Sequence, residues 1–179
     1  QGIYKSLQAD YIIFCEGYRL KDNPYFKSLP LSPTKGEVMT IRIPSLKRFD
    51  KIISKGVYIL PLGNYLYVVG STYNHTDLTD KLTAEGQSFL KKKISDILSV
   101  NFEVVSSVAG VRPTVKDRKP LIGLHPQHSK IGVFNGLGTR GALQGPYLSA
   151  NFSAFLTKDK KNVQNTDNQR IKRFLTPLN

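Results

Sequence analysis

Hydrophobic residues fall into short runs along most of the chain, with one longer stretch of helical period between them. Gln8 to Gly17 (QADYIIFCEG) is almost continuously apolar and ends in glycine, the pattern of a strand buried on both faces of an α/β sheet. A polar, proline-bearing stretch follows, Asn23-Pro24-Tyr25-Phe26 and Leu29-Pro30-Leu31-Ser32-Pro33, which reads as a crossing between layers because proline fixes the backbone and excludes helix. Lys35 to Ile43 (KGEVMTIRI) alternates, with Val38, Thr40 and Arg42 on one face and Met39, Ile41 and Ile43 on the other, as in a half-buried strand. Gly56 to Leu60 and Tyr65 to Gly70 flank Pro61-Leu62-Gly63-Asn64, which predicts a β-hairpin with that tetrapeptide as its loop.

Between Asp77 and Ser99 the period changes. Leu82, Phe89, Leu90, Ile94, Ile97 and Leu98 recur at helical spacing, Thr83 stands where an N-cap is needed, and Lys91-Lys92-Lys93 face outward. Phe102 to Ala109 returns to strand composition, and Lys119 to Gly123 with Ile131 to Asn135 predict a second hairpin. A Gly-rich turn, Gly136 to Gly141 (GLGTRG), leads into a helix over Ala142 to Leu156 with Pro146 in its first turns, where proline is tolerated. Arg170 to Leu175 (RIKRFL) is either a terminal helix or part of a basic tail. The predicted class is α+β: a mixed, largely antiparallel sheet around one central amphipathic helix, plus a strand-turn-helix end.

Composition narrows the picture. The chain has 179 residues, and 26 Lys plus Arg against 13 Asp plus Glu give a formal net charge of +13. The longest apolar stretch, Val57 to Val69, is broken by Pro61, Gly63 and Asn64, far from the roughly 20 residues a membrane-spanning helix needs. Cys15 is the single cysteine, so no intramolecular disulfide forms, and the expected address is a reducing compartment, the cytoplasm. Within its apolar strand Cys15 is expected to be a buried structural thiol. The chain opens Gln1-Gly2-Ile3-Tyr4 without an initiator Met or a secretory leader, which reads as a cut in a longer polypeptide. The buried strand without a βαβ series around it points the same way.

Candidate chemistry is sparse. In Asn135-Gly136-Leu137-Gly138-Thr139-Arg140-Gly141, a strand feeds a Gly-rich turn that opens a helix, a place where backbone N–H groups can meet an anion or the polar edge of a heterocycle. A tight turn needing positive φ explains the same glycines. Arg112, in Ala109-Gly110-Val111-Arg112-Pro113, can clamp a carboxylate through two parallel hydrogen bonds or be one of many surface arginines. His75, His125 and His128 show no metal-ligand spacing, and there is no G-x-S-x-G nucleophile elbow. Basic clusters at Lys91 to Lys93, Lys158 to Lys161 and Arg170 to Arg173 mark either a solvated surface or attraction to polyanions.

The order of these segments carries more than any one of them. ADYIIFCEG, LSPTKGEVMTI, GVYILPLGNYLYVVGSTY, a helix near LTAEG, AGVRPTVKDRKPLIG and NGLGTRGALQGPYLSA together resemble the C-terminal part of FAD-dependent amine and amino-acid oxidoreductases of the D-amino-acid oxidase and glycine oxidase superfamily. The resemblance covers about Ala9 to Leu156. It implies FAD as cofactor, hydride transfer from an amine-bearing carbon to the flavin, and a small amine or amino acid as substrate. It further implies that residues 1–34 hold the last strand of the FAD-binding domain and a crossover, 35–111 the substrate-binding domain, 112–157 the return to the FAD-binding domain with a flavin loop and helix, and 158–179 a basic tail. By position, Arg112 would hold the substrate carboxylate, with Tyr58, Tyr67 and Thr72 also on the substrate side. Gly17, Gly136, Gly138, Thr139, Arg140, Gly141 and Ala142 would bind the cofactor.

One departure from the family pattern matters: there is no G-x-G-x-x-G in a βαβ unit, so the part that grips the ADP half of FAD is missing. The resemblance therefore implies a C-terminal fragment, inactive alone, of a protein whose N-terminal nucleotide-binding half lies elsewhere. GLGTRGAL together with NQRIKRFL also resembles the oxidase domain of the bacterial bifunctional enzymes that mature the wobble uridine of tRNA, which would make tRNA a partner. Two alternatives stand beside these: a non-catalytic polyanion-binding module, and a domain that has kept the fold and lost the cofactor.

Overall fold

The computed structural model describes residues 2–4, 7–46, 51–157 and 168–175. Strands β1 (Gly2–Tyr4), β2 (Leu7–Ala9) and β3 (Ile12–Phe14) are short; β4 (Thr34–Arg42), β5 (Ile53–Ser54), β6 (Tyr58–Gly63) and β7 (Leu66–Gly70) follow. Then come helix α1 (Ala84–Ile97), β8 (Glu103–Arg112), β9 (Leu121–Leu124), β10 (Ile131–Asn135), α2 (Gly141–Leu156) and α3 (Asn168–Leu175). Two compact units share the chain: residues 34–111 form one, and residues 1–33 with 112–179 form the other.

Residues 34–111 build a five-stranded sheet in the order β5-β6-β7-β4-β8. Antiparallel pairing sets Met39 opposite Val69 and Ile41 opposite Tyr67, while β6 pairs β7 with Ile59 opposite Val69. Alternation thus collects Met39, Ile41, Ile59, Tyr67 and Val69 into one core with Leu90 and Ile94 of α1. Thr83 caps α1 as its position predicts: its side chain accepts from the Gly86 N–H at 3.0 Å. The helix starts later than its sequence pattern, so Leu82 stays outside it, and Phe89 is an exposed ring with Lys93 Nζ 5.7 Å from its centroid.

The first hairpin forms, but not with the predicted loop. Pro61 and Gly63 belong to β6, the register shifts between them, and the turn is Asn64-Tyr65 with φ of 49° and 61°. Positive φ at both positions gives the twist that a two-residue hairpin needs. Pro61 is tolerated because β5 covers only Ile59 and Tyr58, leaving no ladder bond for it to donate there.

In the other unit β10 lies between β3 and β9, parallel to β3 and antiparallel to β9. The second predicted hairpin is present, starting at Leu121 because Pro120 has no N–H for the ladder. The apolar run 8–17 is not one strand. Asp10 interrupts it, Leu7–Ala9 pairs with β1, and Ile12–Phe14 is only half-buried, with a single neighbouring strand among the described residues. Cys15 lies past the end of β3 and is exposed, against the expectation of a buried thiol. Nearby atoms still withdraw enough water to push its pKa up, and Glu16 adds to the rise.

The 158–179 segment is not simply a tail. Residues 168–175 form a helix, and Ile171 is fully buried in a core with Leu20, Phe26, Leu29, Val115, Leu121 and Val133. The basic cluster Lys158 to Lys161 lies outside the described residues.

Candidate functional site

Gly136 and Gly138 have φ of 74° and 54°, conformations that L side chains rarely adopt. Space is also short. A Cβ at Gly136 would fall 2.9 Å from Val115 Cγ2 and 3.0 Å from the Leu121 nitrogen, and one at Gly138 3.1 Å from Thr114 Cγ2. The turn therefore lies pressed onto the 114–121 segment. A 3₁₀ turn (Gly138–Arg140) carries the chain into α2, whose N-terminus has no side-chain cap. Its first amides are thus presented without an internal side-chain acceptor, at the positive end of the helix dipole. Thr139, Arg140 and Ala142 are exposed around that end, and Gly141 is half-buried.

Asn135 opens this motif in the sequence but is not among the residues expected to bind the cofactor. It is 3 % exposed; its Oδ1 accepts from the Gly136 N–H at 2.7 Å, and its Nδ2 donates to the Gly17 carbonyl at 2.9 Å. One buried amide thus brings Gly17, with φ 60°, to the Gly-rich turn. The available signal was a polar residue closing an apolar strand directly before a glycine, a position favoured for side-chain to backbone bonds.

Arg112 is the last residue of β8, and a terminal guanidinium nitrogen of it is buried. Ser107 Oγ donates to Gln87 Oε1 of α1, so the odd positions of β8 face the helix and Arg112 is in the opposite phase. Its carbonyl accepts from the Thr114 N–H at 2.9 Å, which fixes the exit from the strand.

The three further substrate-side candidates part company. Tyr67 is 3 % exposed in the core beneath α1 and is a packing residue. Tyr58 is opposite Gly70 on the other face of the sheet, and a Cβ at Gly70 would come 3.1 Å from its hydroxyl. Glycine there lets the phenol lie across the strand. Thr72 is engaged in the framework: its hydroxyl accepts from the Glu37 N–H at 2.8 Å and its own N–H donates to the Glu37 carbonyl.

Two charged residues of β4 are buried on the α1 side. Glu37 Oε1 accepts from the Thr83 hydroxyl at 2.6 Å and the Thr83 N–H at 3.1 Å, and Oε2 accepts from Gln87 Nε2 at 2.9 Å. A Cβ on Gly86 would stand 2.6 Å from that carboxylate, so glycine admits it to the helix N-terminus. Lys35 Nζ donates to Asp77 at 2.5 Å, which together with the Thr79 bonds holds the Asp77 pKa down at about 2. Neither residue stands out in the sequence, because charged residues in an alternating strand read as solvated. Among the described residues no cluster of His, Cys, Asp and Glu could hold a metal ion, and no helix is long and apolar enough to cross a membrane.

A family model described as FAD dependent oxidoreductase matches residues 2–152. The chain belongs to that family. It is 28% identical over 160 residues to a glycine oxidase of Bacillus subtilis, covering 86% of this chain and 43% of the relative. It is 30% identical over 140 residues to a tRNA 5-methylaminomethyl-2-thiouridine biosynthesis bifunctional protein of Campylobacter concisus, covering 74% of this chain and 21% of that protein. Among solved structures, glycine oxidase from Geobacillus kaustophilus superposes with a TM-score of 0.75 at 24% identity, covering 96% of this chain and 46% of that one. Iminodiacetate oxidase from Chelativorans sp. BNC1 gives the same TM-score at 22% identity. The FAD dependent oxidoreductase fold is therefore present over a chain that spans under half the length of the glycine oxidases it matches.

Proposed function

We propose that this chain is the substrate-binding and flavin-facing portion of an FAD-dependent oxidoreductase that oxidises a small amine or amino acid. The supporting observation is the turn in which Gly136 and Gly138, at positive φ, lie flush on the 114–121 segment and lead into a helix without a side-chain cap. Such a surface accepts a flat, polar-edged ring that supplies its own hydrogen-bond acceptors. Gly17, Gly136, Gly138, Thr139, Arg140, Gly141 and Ala142 would hold the flavin, Gly17 through the Asn135 link. Bound flavin supplies the hydride acceptor.

Arg112 would hold the substrate carboxylate through its planar fork, keeping the amine-bearing carbon in one orientation. Tyr58 remains a substrate-side residue in this reading, and Tyr67 and Thr72 do not. Replacing Arg112 by Ala in the full-length protein should lower kcat/KM for a carboxylate substrate by about 2–5 kcal/mol, chiefly through KM. Unchanged kinetics would remove Arg112 from this role. Adding FAD to this chain and to a version extended through the nucleotide-binding half tests the cofactor directly. Flavin fluorescence and absorbance should change with the extended protein alone.

A second reading, an oxidase acting on a tRNA-borne amine, is favoured by the biosynthesis relative and by the charge distribution. Residues 1–33 and 112–179 carry 16 Lys and Arg against 6 Asp and Glu, whereas 34–111 carry 10 against 7. Steeply salt-dependent tRNA binding by the full-length protein would support it, and salt-independent or absent binding would count against it.

A further inference from the structure

The function just proposed leaves α3 without a task, although α3 is tied to the segment that joins Arg112 to the Gly-rich turn. Arg170 grips Asp117 with both arms of its guanidinium: Nη2 donates to Oδ1 at 2.8 Å, and Nη1 stands 2.7 Å from Oδ2. Bidentate pairing of this kind fixes direction as well as distance. Asp117 is itself locked into the backbone, since Oδ1 also accepts from the Lys119 N–H at 3.1 Å. Its pKa is held down, above all by the Arg170 hydrogen bond. One helical position on, Ile171 is fully buried beside Val115 and Leu121.

Val115 and Leu121 are the residues on which Gly136 rests, and Thr114 is the one under Gly138. Thr114 is bound to the main chain of Ser32 through both its carbonyl, which accepts from the Ser32 N–H at 2.8 Å, and its hydroxyl. The Thr114 N–H in turn holds the Arg112 carbonyl. A continuous line of contacts therefore runs from α3 through Asp117 and Val115 to both the strand exit bearing Arg112 and the floor of the turn.

We propose that α3 is a strut, with Arg170 and Asp117 as positioning residues that set the Arg112 guanidinium and the Gly-rich turn together. The proposal rests on the reading of those two elements as substrate and flavin contacts. Arg170 is mostly buried and Asp117 about half exposed, so solvent screens part of the pair and the effect is moderate.

The test uses the full-length protein and the variants Arg170→Met, Asp117→Asn and Arg170→Lys, with Arg173→Met, exposed on the same helix, as control. Hydrogen–deuterium exchange is followed in the peptides spanning 113–121 and 135–141. Arg170→Met and Asp117→Asn should each speed exchange roughly three- to tenfold in both peptides. They should also raise KM for the carboxylate substrate more than they lower kcat and alter the fine structure of the bound-flavin absorption band. Arg170→Lys, which keeps the charge without the fork, should recover part of each change, and it carries the test if Arg170→Met does not fold.

Faster exchange in 113–121 with 135–141 unmoved overturns the strut, as does an equal response to Arg173→Met. A wild-type protein that holds no flavin yet shows linked exchange would sink the cofactor reading and leave the mechanical link standing.

Discussion

The two units treat buried polar groups in opposite ways. In residues 34–111, Lys35 and Glu37 are closed upon partners of the same unit: Asp77 and Thr79 for one, Thr83 and Gln87 for the other. Their function is to hold the loop after β7 and the start of α1 against the sheet. In the unit of residues 1–33 and 112–179, Asn135 is just as buried, but it shapes a turn leading into a helix whose N-terminus has no side-chain cap. Polar burial in the first case closes a framework, and in the second it prepares a surface. The same chemistry therefore separates scaffold from site only when its partners are counted.

The largest effect expected from testing this contrast comes from Glu37→Ala. It leaves three donors at the α1 N-terminus without their acceptor and should cost about 3 kcal/mol or more in a denaturant titration, while in the full-length protein flavin binding per folded molecule stays unchanged. A loss of flavin affinity in the folded variant would break the contrast. Gly136→Ala should do the reverse. Positive φ and the close Val115 and Leu121 contacts predict a cost of about 1–3 kcal/mol, with flavin binding more affected than stability. Gly145→Ala, where a Cβ meets nothing within 4 Å, is the matched control and should be neutral or slightly stabilising.

The smallest effect is the response to acid. The folded-state pKa of Asp77 is about 2, below the unfolded value, so its stabilisation is complete above the unfolded pKa near ~4 and disappears as pH falls toward 2. In the other unit His125 is 8 % exposed and its pKa is lowered, first by burial and then by the nearby His128. A lowered histidine pKa means that the folded state resists protonation, so stability declines as pH drops below the unfolded value of about 6.5. Exchange measured from pH 7 to pH 3 should show residues around His125 loosening first and the Asp77 loop last. His125→Phe should abolish the early step.

Much of this arrangement was legible in the chain. Thr83 announced its cap, the alternation of Met39, Ile41 and Ile43 announced the core face, and the glycines from 136 to 141 announced the turn, because each signal is local. What was not legible depended on register or on distant partners. Tyr58 and Tyr67 belong to one hairpin, and only the pairing across β6, β7 and β4 sends the second into the core and the first to the opposite face. The basic residues of α3 disguised Ile171, whose burial is decided by strands more than thirty-five positions earlier.

The carboxylate of Glu37 also has a consequence for the order of folding. Its bonds to Thr83 and Gln87 bridge 46 and 50 residues of chain, so the first turn of α1 is completed by a strand laid down long before it. Closing so long a loop is entropically slow, and the helix can propagate from its C-terminal turns while its beginning waits. A peptide of residues 82–99 keeps the Thr83 cap but lacks this carboxylate, so its first turn should be less protected than in the folded unit. Assembly of this unit should appear as a single cooperative step in which sheet and helix start become ordered together.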